Sequence, residues 1–211
     1  MSGRVLIPFN RKVHRMISRR RFLALLSVVP PVCKTLLACN AKWDKLAGEL
    51  SRALSNLQKG QFLIIETKAD LYYVQFAGGG IFGMRAESVS NGYLYGPRKL
   101  SDEACMKLLQ LGWNTPTIIP DAMNDVRGYR GYGSPNYFLD VNVPVPYGSV
   151  ANLAVNTLRE VFGALHPGEL QYRAFAQGGG DIEFRNLRIA PVRSDRSTLP
   201  RRAGPFETIA A

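Results

Sequence analysis

Chemistry needs reactive side chains at workable spacing, and this chain of 211 residues offers few. Its two histidines, His14 and His166, are far apart, and Cys33, Cys39 and Cys105 form no Cys-x-x-Cys pair, so no metal site is expected. Acid–base catalysis requires two carboxylates in different environments. Asp102 and Glu103 are adjacent and suit the first turn of a helix, while Asp181 and Glu183 alternate along an apparent strand and should face solvent. Gly78-Gly79-Gly80 could cradle a phosphate only if a helix followed it, usually with a Gly-Lys-Ser/Thr ending. A strand pattern follows instead, so the glycines read as a hairpin turn. No Gly-x-Ser-x-Gly elbow and no His-Glu-x-x-His occurs. The expectation is a non-catalytic protein without cofactor.

The formal charge of +11 belongs to the ends. Residues 1–40 carry 8 basic and no acidic residues, 41–185 carry 14 of each, and 186–211 carry 5 basic and 2 acidic. A neutral middle offers no footprint for phosphate backbones, so no nucleic-acid partner is expected.

Residues 1–40 read in two ways. Ser18-Arg19-Arg20-Arg21-Phe22-Leu23, the apolar stretch after it and Leu36-Leu37-Ala38-Cys39 resemble a twin-arginine export signal with lipidation at Cys39. The apolar run Phe22–Cys33 is 12 residues, too short to span a bilayer. The other reading is a basic disordered arm or an over-early start. Leu37, Lys34 and Pro30-Pro31 depart from the export pattern. The expectation is therefore cytoplasmic, with export, and a membrane anchor through Cys39, as the alternative.

The folded part is expected over 41–189, with 190–211 a disordered tail rich in Pro, Ser and Arg. Trp43, Leu46, Ala47, Leu50, Ala53, Leu54 and Leu57 recur at helical spacing and predict a helix over 41–58. Phe62–Glu66, Leu71–Ala77 and Ile81–Val89 read as a three-strand meander. Ser101 and Gly112 bracket a second helix whose apolar side would use Cys105, Leu108 and Leu109. Residues 114–136 form a long loop, a common place for function. Tyr137–Val143 is a further strand, and Val150 to Phe162 a third helix. Glu169–Phe175 and Asp181–Arg185 flank a second triple glycine and predict a closing hairpin. The order α-βββ-α-(β)-α-ββ gives an α+β class: one antiparallel sheet with helices packed on it.

Five blocks, taken in order, carry a resemblance: Tyr72–Ala77, Arg85–Asn91, Leu111-Gly112-Trp113-x-x-Pro116, Ser134–Phe138 and Thr157–Val161. Together they resemble the TY-Chap family, bacterial domains grouped with type III secretion chaperones as peptide binders. The resemblance covers about Trp43 to Phe184 and implies a chaperone-like α/β sandwich, often a homodimer, holding a protein or peptide client. Strand alternation puts Tyr73, Gln75 and Arg85 opposite Tyr72, Val74, Phe76 and Met84, making the first three candidate peptide contacts. Trp113 is a fourth. The competing reading gives these residues a covering or packing role, in an interaction module without chaperone action.

Overall fold

The computed structural model describes residues 31–117 and 133–192. The twin-arginine-like stretch, the centre of the 114–136 loop and the tail beyond Val192 lie outside the described residues. The chain divides into two units, Met1–Ala38 and Cys39–Ala211, and apart from the first residues of one helix everything below concerns the second.

Helix α1 runs Pro31–Ser55, starting well before the expected Ala41, because a proline is tolerated in a helix's first turn. It stops three residues short of the expected end, where the Asn56 side chain donates to the Arg52 carbonyl and Gly60 takes φ +74°. Its periodic apolar residues from Trp43 to Leu54, and Leu57 just beyond its end, are all buried. Strands β1 (Gln61–Thr67), β2 (Tyr73–Gly78) and β3 (Met84–Ser88) form the meander. Helix α2 (Asp102–Leu111) has the predicted ends: the Ser101 hydroxyl accepts from the Ala104 N–H at 3.2 Å, and Gly112 closes it left-handed at φ 111°. Of its expected apolar side only Leu108 is fully buried, and Leu109 faces solvent. Strand β4 is Tyr137–Val141 and helix α3 is Tyr147–Asn156, prolonged by a π turn over Thr157–Val161. Strands β5 (Leu170–Ala176) and β6 (Ala190–Pro191) complete a six-stranded sheet in the order β4-β3-β2-β1-β5-β6.

The architecture is α+β, with two corrections to the expected order. Ile81 and Phe82, read as the start of the third strand, lie in a 3-10 turn over Gly80–Phe82. Gly83, at φ +92°, packs so closely on β4 that any Cβ there would collide with the Val141 carbonyl oxygen. Strand geometry thus begins only at Met84, leaving Ile81 80% and Phe82 72% exposed.

The closing hairpin forms only at its turn, as a single antiparallel bridge between Phe175 and Asp181. Beyond the bridge between Phe175 and Asp181 the chain leaves the ladder, and β5 pairs instead with β6, in parallel. The cause is spacing: Ile182 and Phe184 are two residues apart, as are Leu187 and Ile189, but Phe184 and Leu187 are three apart. A continuous strand would turn one of these pairs to solvent. A turn at 185–186 resolves the conflict and lets Leu187 and Ile189 be buried. Ala190–Pro191, expected in the tail, therefore belongs to the sheet.

The pleat separates two faces. Leu63, Ile65, Val74, Phe76, Met84 and Ala86, with Leu170, Tyr172 and Ala174 of β5, join the apolar sides of the helices in one buried cluster. Burying each Leu, Ile, Val, Phe or Met of this cluster contributes about 1.5–3 kcal/mol, which holds the helices on this side of the sheet. The opposite face carries Phe62, Ile64, Glu66, Tyr73, Gln75, Arg85, Glu87, Phe138, Arg173 and Phe175, aligned by cross-strand register.

Candidate functional site

The face opposite the helix layer has a polar centre and an aromatic rim. Glu87 of β3 is only 3% exposed, and its carboxylate accepts from Gln75 Nε2 at 2.6 Å, Ser134 Oγ at 2.8 Å and Asn136 Nδ2 at 3.3 Å. The segment Gly133–Asn136 is thereby tied down across β2 and β3. Further ties come from Asn136 to the Tyr73 hydroxyl, Ser90 Oγ to the Pro135 carbonyl at 2.6 Å, and Arg85 Nη1 to the Gly133 carbonyl at 3.0 Å. A buried carboxylate is costly unless its acceptor sites are filled, and here neutral donors fill them. Among the buried side-chain polar atoms of the described residues, only the Ser88 hydroxyl has no hydrogen-bond partner.

Around this centre, Arg85 forms a fork-to-fork pair with Asp140 at 2.6 and 2.7 Å and lies 5.5 Å from the centre of the Phe138 ring. Phe62 and Phe175 stack with centroids 5.2 Å apart. Glu66 accepts from Gln171 at 2.8 Å and Arg173 at 2.7 Å. Ile64, Tyr73 and Phe138 are half-buried. Asn114 exchanges hydrogen bonds of 2.9 and 3.1 Å with Phe138, which fixes the phase of β4. Phe138 and Asp140 therefore turn their main-chain groups away from β3, and past Phe138 that edge has no strand beside it among the described residues.

The predicted residues divide. Tyr73, Gln75 and Arg85 do share this face, but Gln75 is 3% exposed and bound to Glu87, and Arg85 is held by Asp140 and Gly133. They frame the surface more than they present it. Trp113 lies elsewhere, 3% exposed in the core, donating its indole N–H to Thr157 Oγ1 at 2.8 Å. That hydroxyl in turn donates to the Leu153 carbonyl at 2.8 Å, just where α3 widens into its π turn. Sequence reasoning missed Glu87, Ser134, Asn136 and the Phe62–Phe175 pair. Glu87 alternates with Arg85, so it was legible as lying on this face; its burial was not, because its partner Ser134 is 47 residues away.

Burial pushes the Tyr73 phenol well above its ordinary pKa of 10.0, the Glu87 charge adding to the effect and the Asn136 hydrogen bond partly offsetting it. Tyr137 is pushed the same way by burial and by Cys105. Above pH 10 the unfolded chain releases protons that the folded chain keeps. Stability should thus be full below about pH 10 and fall above it, by up to about 1.4 kcal/mol per pH unit for Tyr73. Urea melts from about pH 9 to 11 should show the fall, and Tyr73→Phe should remove one tyrosine's share of the slope.

A family described as "T3SS (YopN, CesT) and YbjN peptide-binding chaperone 3", TY-Chap3, matches residues 37–176. The chain belongs to the TY-Chap3 family. The match runs from α1 through the whole of β5, and so contains every strand of the face just described. No curated protein and no solved structure matches the chain significantly. Membership in TY-Chap3 places the chain in a class of peptide-binding chaperones, a class that is generally non-catalytic.

Proposed function

We propose that this TY-Chap3 chain binds an extended or amphipathic segment of a partner protein, through apolar and main-chain contacts and without covalent chemistry. The observation that carries the reading is the sheet face opposite the helices. Its buried carboxylate is occupied by Gln75, Ser134 and Asn136, while Ile64, Tyr73, Phe138 and Phe175 remain partly open. Such a surface suits contact over reaction. The outward main-chain groups at Asp140 add a second means of holding an extended chain, by lengthening the sheet. A homodimer, implied by the resemblance, is part of the same proposal, as is a cytoplasmic location.

The test is crosslinking mass spectrometry of the full chain with the proteins of its host, followed by binding of a synthetic peptide copied from the recurring crosslinked segment. Because residues 41–185 are neutral, affinity should change little with salt. Replacing Tyr73 and Arg85 together by Ala should weaken binding about tenfold, the effect of losing roughly 1.4 kcal/mol of contact. Crosslinks confined to folded partners, or an affinity that collapses as salt rises, would count against the reading.

A further inference from the structure

We propose that the cleft between α1 and β5 is a second peptide-holding surface, suited to an extended segment with an apolar–Arg–apolar run, and that the chain's own Ile182–Val192 is its resident occupant. This goes beyond the reading above, concerns a different surface and does not depend on it. The walls of the cleft lie inside the family match at 37–176, and the occupying arm lies entirely outside it.

The arm is held as a bound peptide is held. Main-chain bonds run from the Ile182 N–H to the Ala174 carbonyl and from the Val192 N–H to the Tyr172 carbonyl, both at 2.8 Å. The Phe184 N–H reaches the Tyr172 hydroxyl at 3.2 Å. Leu187 and Ile189 are buried as anchors, and Arg188 between them points outward. Its backbone N–H meets Glu49 Oε2 at 3.1 Å and its guanidinium Nε meets Glu49 Oε1 at 3.3 Å. Glu49, on α1, is 4% exposed. These two donors are its partners from the arm, so the cleft favours an occupant that brings both a cation and a main-chain N–H to that point.

The hold is also incomplete. The ladder with β5 is two residues long and ends at Pro191, which has no N–H. Where the arm starts, a cavity of about 390 Å³ remains between Arg52, Asn56 and Gln61 on one side and Ile182, Phe184 and Asn186 on the other. A tethered segment competes at an effective concentration on the order of millimolar, so a weakly held arm still excludes a dilute rival. Loosening the arm should admit one.

The experiment uses the full chain and a labelled synthetic peptide of residues 181–192, followed by fluorescence anisotropy. Arg188→Ala, at an exposed side chain, should bind the peptide at least about tenfold more tightly than the unaltered chain, the equivalent of about 1.4 kcal/mol of competition removed. Adding Glu49→Gln, or using a peptide with Ala at the Arg188 position, should reverse the gain. Hydrogen exchange on the unaltered chain gives a second measure: the arm amides of Ile182 and Val192 should exchange through a local opening faster than those at the centre of β1. Equal binding by both chains, indifference to the Arg188 position, or arm amides that exchange only with global unfolding would overturn the proposal. Peptide of 181–192 binding as expected while no client segment binds the Tyr73 face would sink the earlier reading and leave this one standing.

Discussion

Leu50→Asp is expected to leave the chain without a cooperative unfolding transition. Leu50 is fully buried on the apolar side of α1, and is part of the cluster that joins the helices to β1, β2 and β5. Removing the leucine costs about 2–5 kcal/mol in lost burial and cavity, before any charge is considered. A carboxylate at that point would lie inside this apolar cluster, and burying it unpaired costs several kcal/mol more or forces it to take up a proton. Together these terms match the roughly 5–15 kcal/mol that keeps an ordinary domain folded. A urea titration followed by circular dichroism should show a broad, non-cooperative loss of signal. Leu50→Met, which conserves volume, should cost less than about 1.5 kcal/mol and keep the transition sharp.

Glu87→Leu should have the next largest effect and a more local one. The substitution leaves the Gln75 amide, the Ser134 hydroxyl and the Asn136 amide without the acceptor they share. Each stranded buried donor costs about 1–3 kcal/mol, and because the three act as a unit we expect a total of about 3–5 kcal/mol. Glu87→Gln keeps one acceptor oxygen and should lose only about 1–2 kcal/mol. The structural consequence is release of Gly133–Asn136 from the sheet, read as faster hydrogen exchange at Ser90, whose N–H donates to the Asn136 side chain at 3.3 Å. Unchanged melting and unchanged exchange in Glu87→Leu would show that the network contributes nothing.

These sites mark what can be read locally and what cannot. The helix from Ser101 to Gly112 was legible to the residue because its cap, its acidic first turn and its closing glycine are all written within a dozen positions. The apolar side of α1 and the two faces of the sheet follow from periods of 3.6 and 2, which the chain obeys wherever one side is buried. Three features depend on distant partners and escaped that reasoning. Ile81 and Phe82 have strand-forming side chains, but the approach of Gly83 to Val141, 58 positions on, decides their conformation. Gln75 looked like a surface residue until Glu87 and the Gly133–Asn136 segment covered it. Trp113, named as a candidate contact with packing as the competing reading, is a packing anchor, because Thr157 supplies the acceptor that lets its indole be buried. The family blocks were nonetheless visible, since they include the residues around Glu87, Ser134 and Asn136 that hold the face together.

Peptide holding on that face can be put to a single site-specific experiment. A photo-crosslinking phenylalanine analogue is placed at Phe175 in the full chain, and in parallel at Met106, exposed on α2 in the helix layer opposite that face. The chains are irradiated with the client peptide identified by crosslinking. Attachment at Phe175, suppressed by excess unlabelled peptide, persisting at high salt and absent at Met106, is the predicted result. Equal labelling at the two positions, or none at Phe175 while the peptide remains bound, would contradict the assignment of peptide binding to this surface.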